Sequence, residues 1–155
     1  MAIPAYMEVE GIQGSVTVAG REGTVEILEF NHRVYLPTDR DTGSITGTRK
    51  HEPLIIHKAF DKSSALFYQR VTTGEVIPKI TIRWYQVTDQ GEEKPYFTHE
   101  LTGVQVASVR SYMFNVKDPS KEQYVHQEEI SLRYQKITWT FLDGNLIHTD
   151  DWNSR

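Results

Sequence analysis

The stretch "KITIRWYQV", residues 79–87, decides how the rest of the chain is read. Ile80, Ile82 and Trp84 alternate with Lys79, Thr81 and Arg83, a strict period of two. Successive side chains of a strand point to opposite faces, so this pattern predicts a strand with one face in a core and one in solvent. Val, Ile, Thr, Tyr and Trp, the residues that fit a pleated surface, recur throughout the chain.

Working outward, the same period returns with interruptions. In "VEILEFNHRVYL", residues 25–36, Leu28, Phe30, Val34 and Leu36 share one parity and Glu29, Asn31 and Arg33 the other, predicting an inward face made of the first set. In "GVQVASVRSYM", residues 103–113, the apolar parity changes after Val106 and resumes at Val109. In "ISLRYQKITWTF", residues 130–141, Ile130, Leu132 and Tyr134 have one parity and Ile137, Trp139 and Phe141 the other. A parity switch predicts a β-bulge or a strand buried on both faces.

One segment has a different period. "DKSSALFYQRVTTG", residues 61–74, offers Asp61 or Ser63 as N-cap, an apolar stripe of Leu66, Phe67 and Val71, and Gly74 where a C-cap glycine belongs. A helix is predicted over 63–73. Turns are predicted around Asp89–Lys94, with Gly91 able to take positive φ, and at Asp143–Asn145; "NVKDPSKEQY", residues 115–124, reads as a polar connection. The stretch "PTDRDTGSITGTRKHEP", residues 37–53, has no period and reads as a long loop, a feature that in compact domains is functional or interactive. The fold class expected is mainly β: antiparallel sheets in a barrel or sandwich with one helix, as a single domain over 1–155.

Composition narrows the function. The chain has 155 residues and a net charge of -4, and Arg49-Lys50 is its one adjacent basic pair, so a phosphate-binding surface is not indicated. Cysteine is absent, which excludes disulfides and thiolate metal sites. The N-terminal residues "MAIPAYMEVEG" lack the basic and apolar regions of a cleaved signal, and the longest apolar run, Ala65–Tyr68, is too short to cross a membrane.

"RKHEPLIIHKAF", residues 49–60, resembles H-E-x-x-H at first sight. That zinc signature needs histidines at i and i+4 on one helix face. Here His51 and His57 are six apart with Pro53 between them; on a strand they would lie about 20 Å apart, beyond the reach of one metal. They are read as packed or solvated strand histidines. His32, on the apolar parity between Phe30 and Val34, is read as a satisfied interior histidine. The carboxylate pairs Glu92-Glu93, Glu128-Glu129 and Asp150-Asp151 point to opposite strand faces and are read as solvated charge. Nucleophile-elbow, P-loop and dinucleotide motifs are missing, so catalytic, metal and cofactor residues are all expected to be none.

Taken together, "MAIPAYMEVEGIQG" (1–14), "LEFNHRVYLPTDRDTGSITGTRKHEPLIIHKAFDKSSALFYQRVTTGEVIPKITIRWYQ" (28–86), "KDPSKEQYVHQEEISLRYQKITWTF" (117–141) and "TDDW" (149–152) resemble the Hcp family, tube-forming proteins of bacterial type VI secretion systems. The resemblance implies two antiparallel sheets closed into a barrel with a flanking helix. It implies six-subunit rings that stack into a tube, whose lumen can hold effectors and whose partners are sheath, spike and effector proteins; from charge and apolar runs, no nucleic-acid partner and no membrane insertion are expected. It also implies a protein made in the cytoplasm and exported uncleaved from Met1. The 37–53 loop, with Thr38, Asp39, Arg40, Asp41, Thr42, Gly43, Ser44, Thr46, Gly47, Arg49 and Lys50, is expected to carry ring-stacking or subunit contacts. The alternative reading is a monomeric β-barrel that binds a small ligand in its interior. Trp84, Trp139, Phe30 and Leu132 would fill so small a barrel, which weighs against it.

Overall fold

The computed structural model describes residues 3–152; Met1, where an uncleaved start would fall, lies outside them. The strands are β1 (Ala5–Val9), β2 (Val25–Ile27), β3 (Glu29–Asn31), β4 (Val34–Tyr35), β5 (Lys50–His51), β6 (Leu54–Ala59), β7 (Ile77–Val87), β8 (Glu93–Tyr112), β9 (Gln127–Arg133), β10 (Lys136–Phe141) and β11 (Leu146–Asp151). Helix α1 spans Ser64–Thr73, and a short 3-10 turn covers Pro119–Lys121. Pairing runs β2-β1-β7-β8-β9-β6-β3, all antiparallel, with β10 also on β8 and β11 on β10.

Strand β8 is the organising element. Its first part pairs with β7 on one edge and β10 on the other, while Gln105–Tyr112 pair with β9. The strand therefore passes from one sheet into the second. Gly103 sits at the transition with φ +63, and a Cβ there would lie 3.1 Å from Gln135. A side chain would meet both backbone strain and the crossing chain. The second seam is the segment 25–31. Its first half pairs with β1 and its second half with β6, and between them the Leu28 amide donates to the His57 carbonyl at 2.8 Å. The sheets thus meet along both β8 and this segment, around a core that includes Met7, Ile56, Ile80, Ile82, Leu101, Ile130, Leu132 and Phe67.

The parity switches have distinct causes. That after Val106 is a bulge: the register with β9 shifts between Val106 and Ser108. That between Tyr134 and Ile137 is a strand end, where the chain leaves β9 and starts β10 on another part of β8. The face predicted from Leu28, Phe30, Val34 and Leu36 is corrected. Val25 and Ile27 are the buried pair, and only Phe30 of the predicted set packs on the core, edge-on to Trp84 at 4.8 Å. Leu28, Val34 and Leu36 are exposed. The change of partner sheet at Leu28 inverts the parity that a continuous strand would keep.

Helix α1 matches the predicted span. Gly74 closes it in the left-handed conformation, its amide bonded to the Arg70 carbonyl. Ser63 occupies the N-cap position without a side-chain cap bond; its hydroxyl donates to Asp61 instead. Phe67 is fully buried, with Leu66 and Val71 partly so.

Candidate assembly site: the projecting arm and its base

The segment predicted as an irregular loop is an ordered hairpin arm. Among the described residues strands β4 and β5 pair only with each other, and the Thr38–Ile45 bridge extends their ladder. Asp39 organises the tip. Its carboxylate accepts the amides of Asp41 (2.8 Å) and Thr42 (3.1 Å), which holds it below the usual carboxylate range. The Asp39 amide donates to the Ser44 carbonyl, that of Gly43 to the Asp39 carbonyl, and that of Thr46 to the Pro37 carbonyl. Local side-chain bonding and a left-handed Gly43 replace hydrophobic periodicity here, so the sequence carries no strand signal. Of the predicted site residues, Thr38–Ser44, Thr46, Gly47 and Lys50 are exposed along the arm. Ile45 at its tip is 62% exposed.

Arg49 is bonded within its own chain. Its Nε donates to Asp150 Oδ2 at 2.6 Å and Nη2 to the Asp151 carbonyl at 2.8 Å. It is thus engaged with its own chain's C-terminal strand. The same Asp150 oxygen lies 2.6 Å from His51 Nε2, and His51 Nδ1 lies 2.6 Å from the Tyr134 hydroxyl. His32 Nε2 meets that hydroxyl from the other side at 2.8 Å. The bond from Arg49 holds the Asp150 carboxyl below its ordinary value against the opposing effect of burial; His51 adds to it. Burial pushes the Tyr134 phenol up, as does the Asp150 charge. Both ring nitrogens of His51 are therefore committed to protein groups, as befits a packed histidine. His57 is packed too, with Nδ1 on the Tyr112 hydroxyl at 2.6 Å. Among the described residues no group of three His, Asp or Glu could hold a metal ion.

Two of the carboxylates read as solvated are corrected by this packing. Asp150 is mostly covered within the arm's base, and Glu128 is fully buried against Lys58, its cross-strand partner. Lys58, also fully buried, reaches Asp61 Oδ1 at 2.9 Å and the Ser64 hydroxyl at 3.2 Å, tying β6 and β9 to the start of α1. Lys58 continues the inward parity of Leu54 and Ile56, and Glu128 that of Ile130 and Leu132, but parity alone does not show that the two charges face each other.

Two histidines make stability depend on pH. Burial lowers His32 to about 4, reinforced by His51 nearby. His99 is likewise lowered to about 4 by burial and then by His32, and its Nδ1 accepts the Trp84 indole N–H at 2.9 Å. As pH falls from about 6.5, the unfolded chain takes up these protons before the folded one. Stability is expected to fall between about pH 6.5 and 4, by about 1–3 kcal/mol per histidine, with no further loss from them below that. Urea midpoints measured across this range check it. His99→Asn, which can still accept from Trp84, is expected to flatten the slope; an equally steep slope in the variant contradicts the assignment.

The large side chains left in solvent are numerous: Leu28, Phe60, Met113, Val116, Tyr124 and Val125 are all more than two-fifths exposed. Phe60, Leu28 and Val125 line one groove of about 360 Å³, and Met113, Val116, Tyr124 and Val125 a neighbouring one of about 370 Å³. Exposed apolar area of this kind marks contact surfaces.

A two-sheet β module with a projecting arm is the class so defined, and the comparisons place it. The model of the type VI secretion system effector Hcp family matches residues 6–141, and the chain belongs to that family. It is 36% identical over 168 residues to the major exported protein of Pseudomonas aeruginosa, covering 99% of this chain and 98% of the relative. Among solved structures it is similar to the Hcp1 protein from E. coli EAEC 042, at 42% identity and TM-score 0.86, covering 97% of this chain and 99% of that one. It is also similar to the secreted protein Hcp3 from Pseudomonas aeruginosa, at 29% identity and TM-score 0.79, over 99% of this chain and all of that one. A type VI secretion context and export are thereby properties of its family.

Proposed function

We propose that this chain is the structural subunit of a type VI secretion tube, acting by assembly and not as an enzyme. Six copies form a ring, rings stack, and the lumen carries effectors. The tube meets sheath, spike and effector proteins and leaves the cell through the type VI apparatus without a cleaved signal peptide. The family match over residues 6–141 carries this reading. Physical features support it. Strand β11 pairs only with β10 among the described residues, leaving its other edge open, with Leu146 and Ile147 exposed beside it. Open edges and apolar grooves are liabilities in a monomer that a closed ring removes. Stacking contacts fall to the arm, with Ile45 at its tip and Thr38 to Gly47 presenting polar groups. The small-ligand reading is disfavoured because Met7, Ile56, Ile80, Ile82 and Leu132 fill the interior where a ligand would sit. Light scattering of the purified protein tests the reading through the mass of the particle.

A further inference from the structure

We propose that strand β11 holds the arm to the body through Asp150, so that the C-terminal strand, and not the arm's own sequence, sets the arm's direction. The arm's strands β4 and β5 are outside the main sheet's ladder. Sheet hydrogen bonding therefore does not orient it. Within its root, the Glu52 amide donates to the Arg33 carbonyl, and Arg33 pairs with Glu52 at 3.3 Å on the surface; these bonds close the hairpin but do not aim it.

The restraints that do aim it converge on one place. A single oxygen of Asp150 takes both Arg49 Nε and His51 Nε2, each at 2.6 Å. Arg49 also holds the next carbonyl of the strand, that of Asp151. The His51 ring lies between the Tyr134 hydroxyl and the Trp152 ring, whose centroid is 5.1 Å away. Arg133 donates to the His51 carbonyl at 3.1 Å, and the Trp152 amide donates to the Gln135 carbonyl at 3.0 Å, fixing the end of β11 to the body. Arg49 and His51 belong to the arm's return strand and its approach, Asp150 to β11. Charge-assisted bonds to a partly buried carboxylate outlast the exposed Arg33–Glu52 pair, so the arm's orientation depends on β11 being seated on β10. Withdrawing β11 would remove the Asp150 and Asp151 restraints and loosen the arm without unfolding the core, leaving the Tyr134 and Arg133 bonds at His51 as its attachment. On the tube reading above, on which this consequence rests, seating of β11 prepares a ring to stack.

The absence of cysteine allows a direct test, since introduced thiols are labelled uniquely. Ile45→Cys at the arm tip and Thr72→Cys on α1, both exposed, take spin labels, and labelled chains are diluted with unlabelled ones. Pulsed electron paramagnetic resonance then reads the arm-to-body distance within one chain. A narrow distribution is expected in the parent. Asp150→Ala is expected to roughly double its width. Arg49→Gln, milder because His51 keeps its bond to Asp150, is expected to broaden it less. Unchanged widths in both variants, with the parent narrow, overturn the proposal, as does a parent distribution already broad. The reading is taken on unstacked protein, so a failure of stacking leaves it unaffected and bears on the tube reading alone.

Discussion

Replacing Lys58 by methionine is expected to lower folding stability by about 3–5 kcal/mol, the largest loss from any single side chain considered. Methionine keeps an unbranched apolar stem of similar length, so the loss reports the ammonium group, including its position over the Phe67 ring at 5.7 Å. Glu128 would be left fully buried with its cation gone. Its two oxygens have no hydrogen-bond donor other than that ion pair among the described residues. Asp61 suffers less, because the Ser63 amide still donates to it at 2.9 Å. The second substitution makes the point sharper. Lys58→Met with Glu128→Leu removes both charges from the interior and is expected to recover most of the loss, since a matched apolar pair is often as stable as a buried ion pair. Chemical denaturation of the parent, single and double variants at one subunit concentration measures this, holding fixed any contribution from assembly. A single variant within about 1 kcal/mol of the parent would mean that Glu128 is solvated or protonated, and the buried pair would then not be the tie between β6, β9 and α1.

Shortening the arm is expected to separate ring formation from stacking. Replacing Asp41–Gly47 by a short Gly-Ser turn removes Ile45 and the Asp39-centred tip but leaves β4, β5 and the Arg49–Asp150–His51 contacts in place. Loop shortening of this kind has a modest entropic effect, so the core is expected to fold. Losing one apolar anchor from a contact costs on the order of 2 kcal/mol, which weakens each ring-to-ring contact roughly thirty-fold. Rings should persist while tube length and secretion fall sharply. Undiminished secretion would make the arm a connector only; collapse to monomers would assign it to the contact within a ring. Reversing the charge of Arg49 does not isolate stacking, because it acts first on Asp150 and the arm's attachment.

The alternation of β7, the bulge after Val106, the helix with its Gly74 cap and the two β-turns were legible because each rests on a local pattern of a few residues. The arm was not, because its order comes from an Asx turn and a narrow ladder that require no apolar period. Leu28 misled because parity is informative only while a strand keeps one partner, and here the partner changes at that residue. Lys58, Glu128 and Asp150 were hidden for another reason. A charge on an inward parity is indistinguishable from a solvated one until its cross-strand partner is known, and register is a tertiary property. The family resemblance reached further than periodicity, since order and combination of motifs carry information that single strands lack.

The most direct measurement is the mass of the purified protein in solution, by light scattering on a size-exclusion column at micromolar subunit concentration. The proposed ring predicts a particle of six times the 17.9 kDa chain, with ring contacts burying on the order of 2,000 Å² each and therefore persisting on dilution. A particle of 17.9 kDa, unchanged on concentration, would contradict the ring and favour the monomeric barrel.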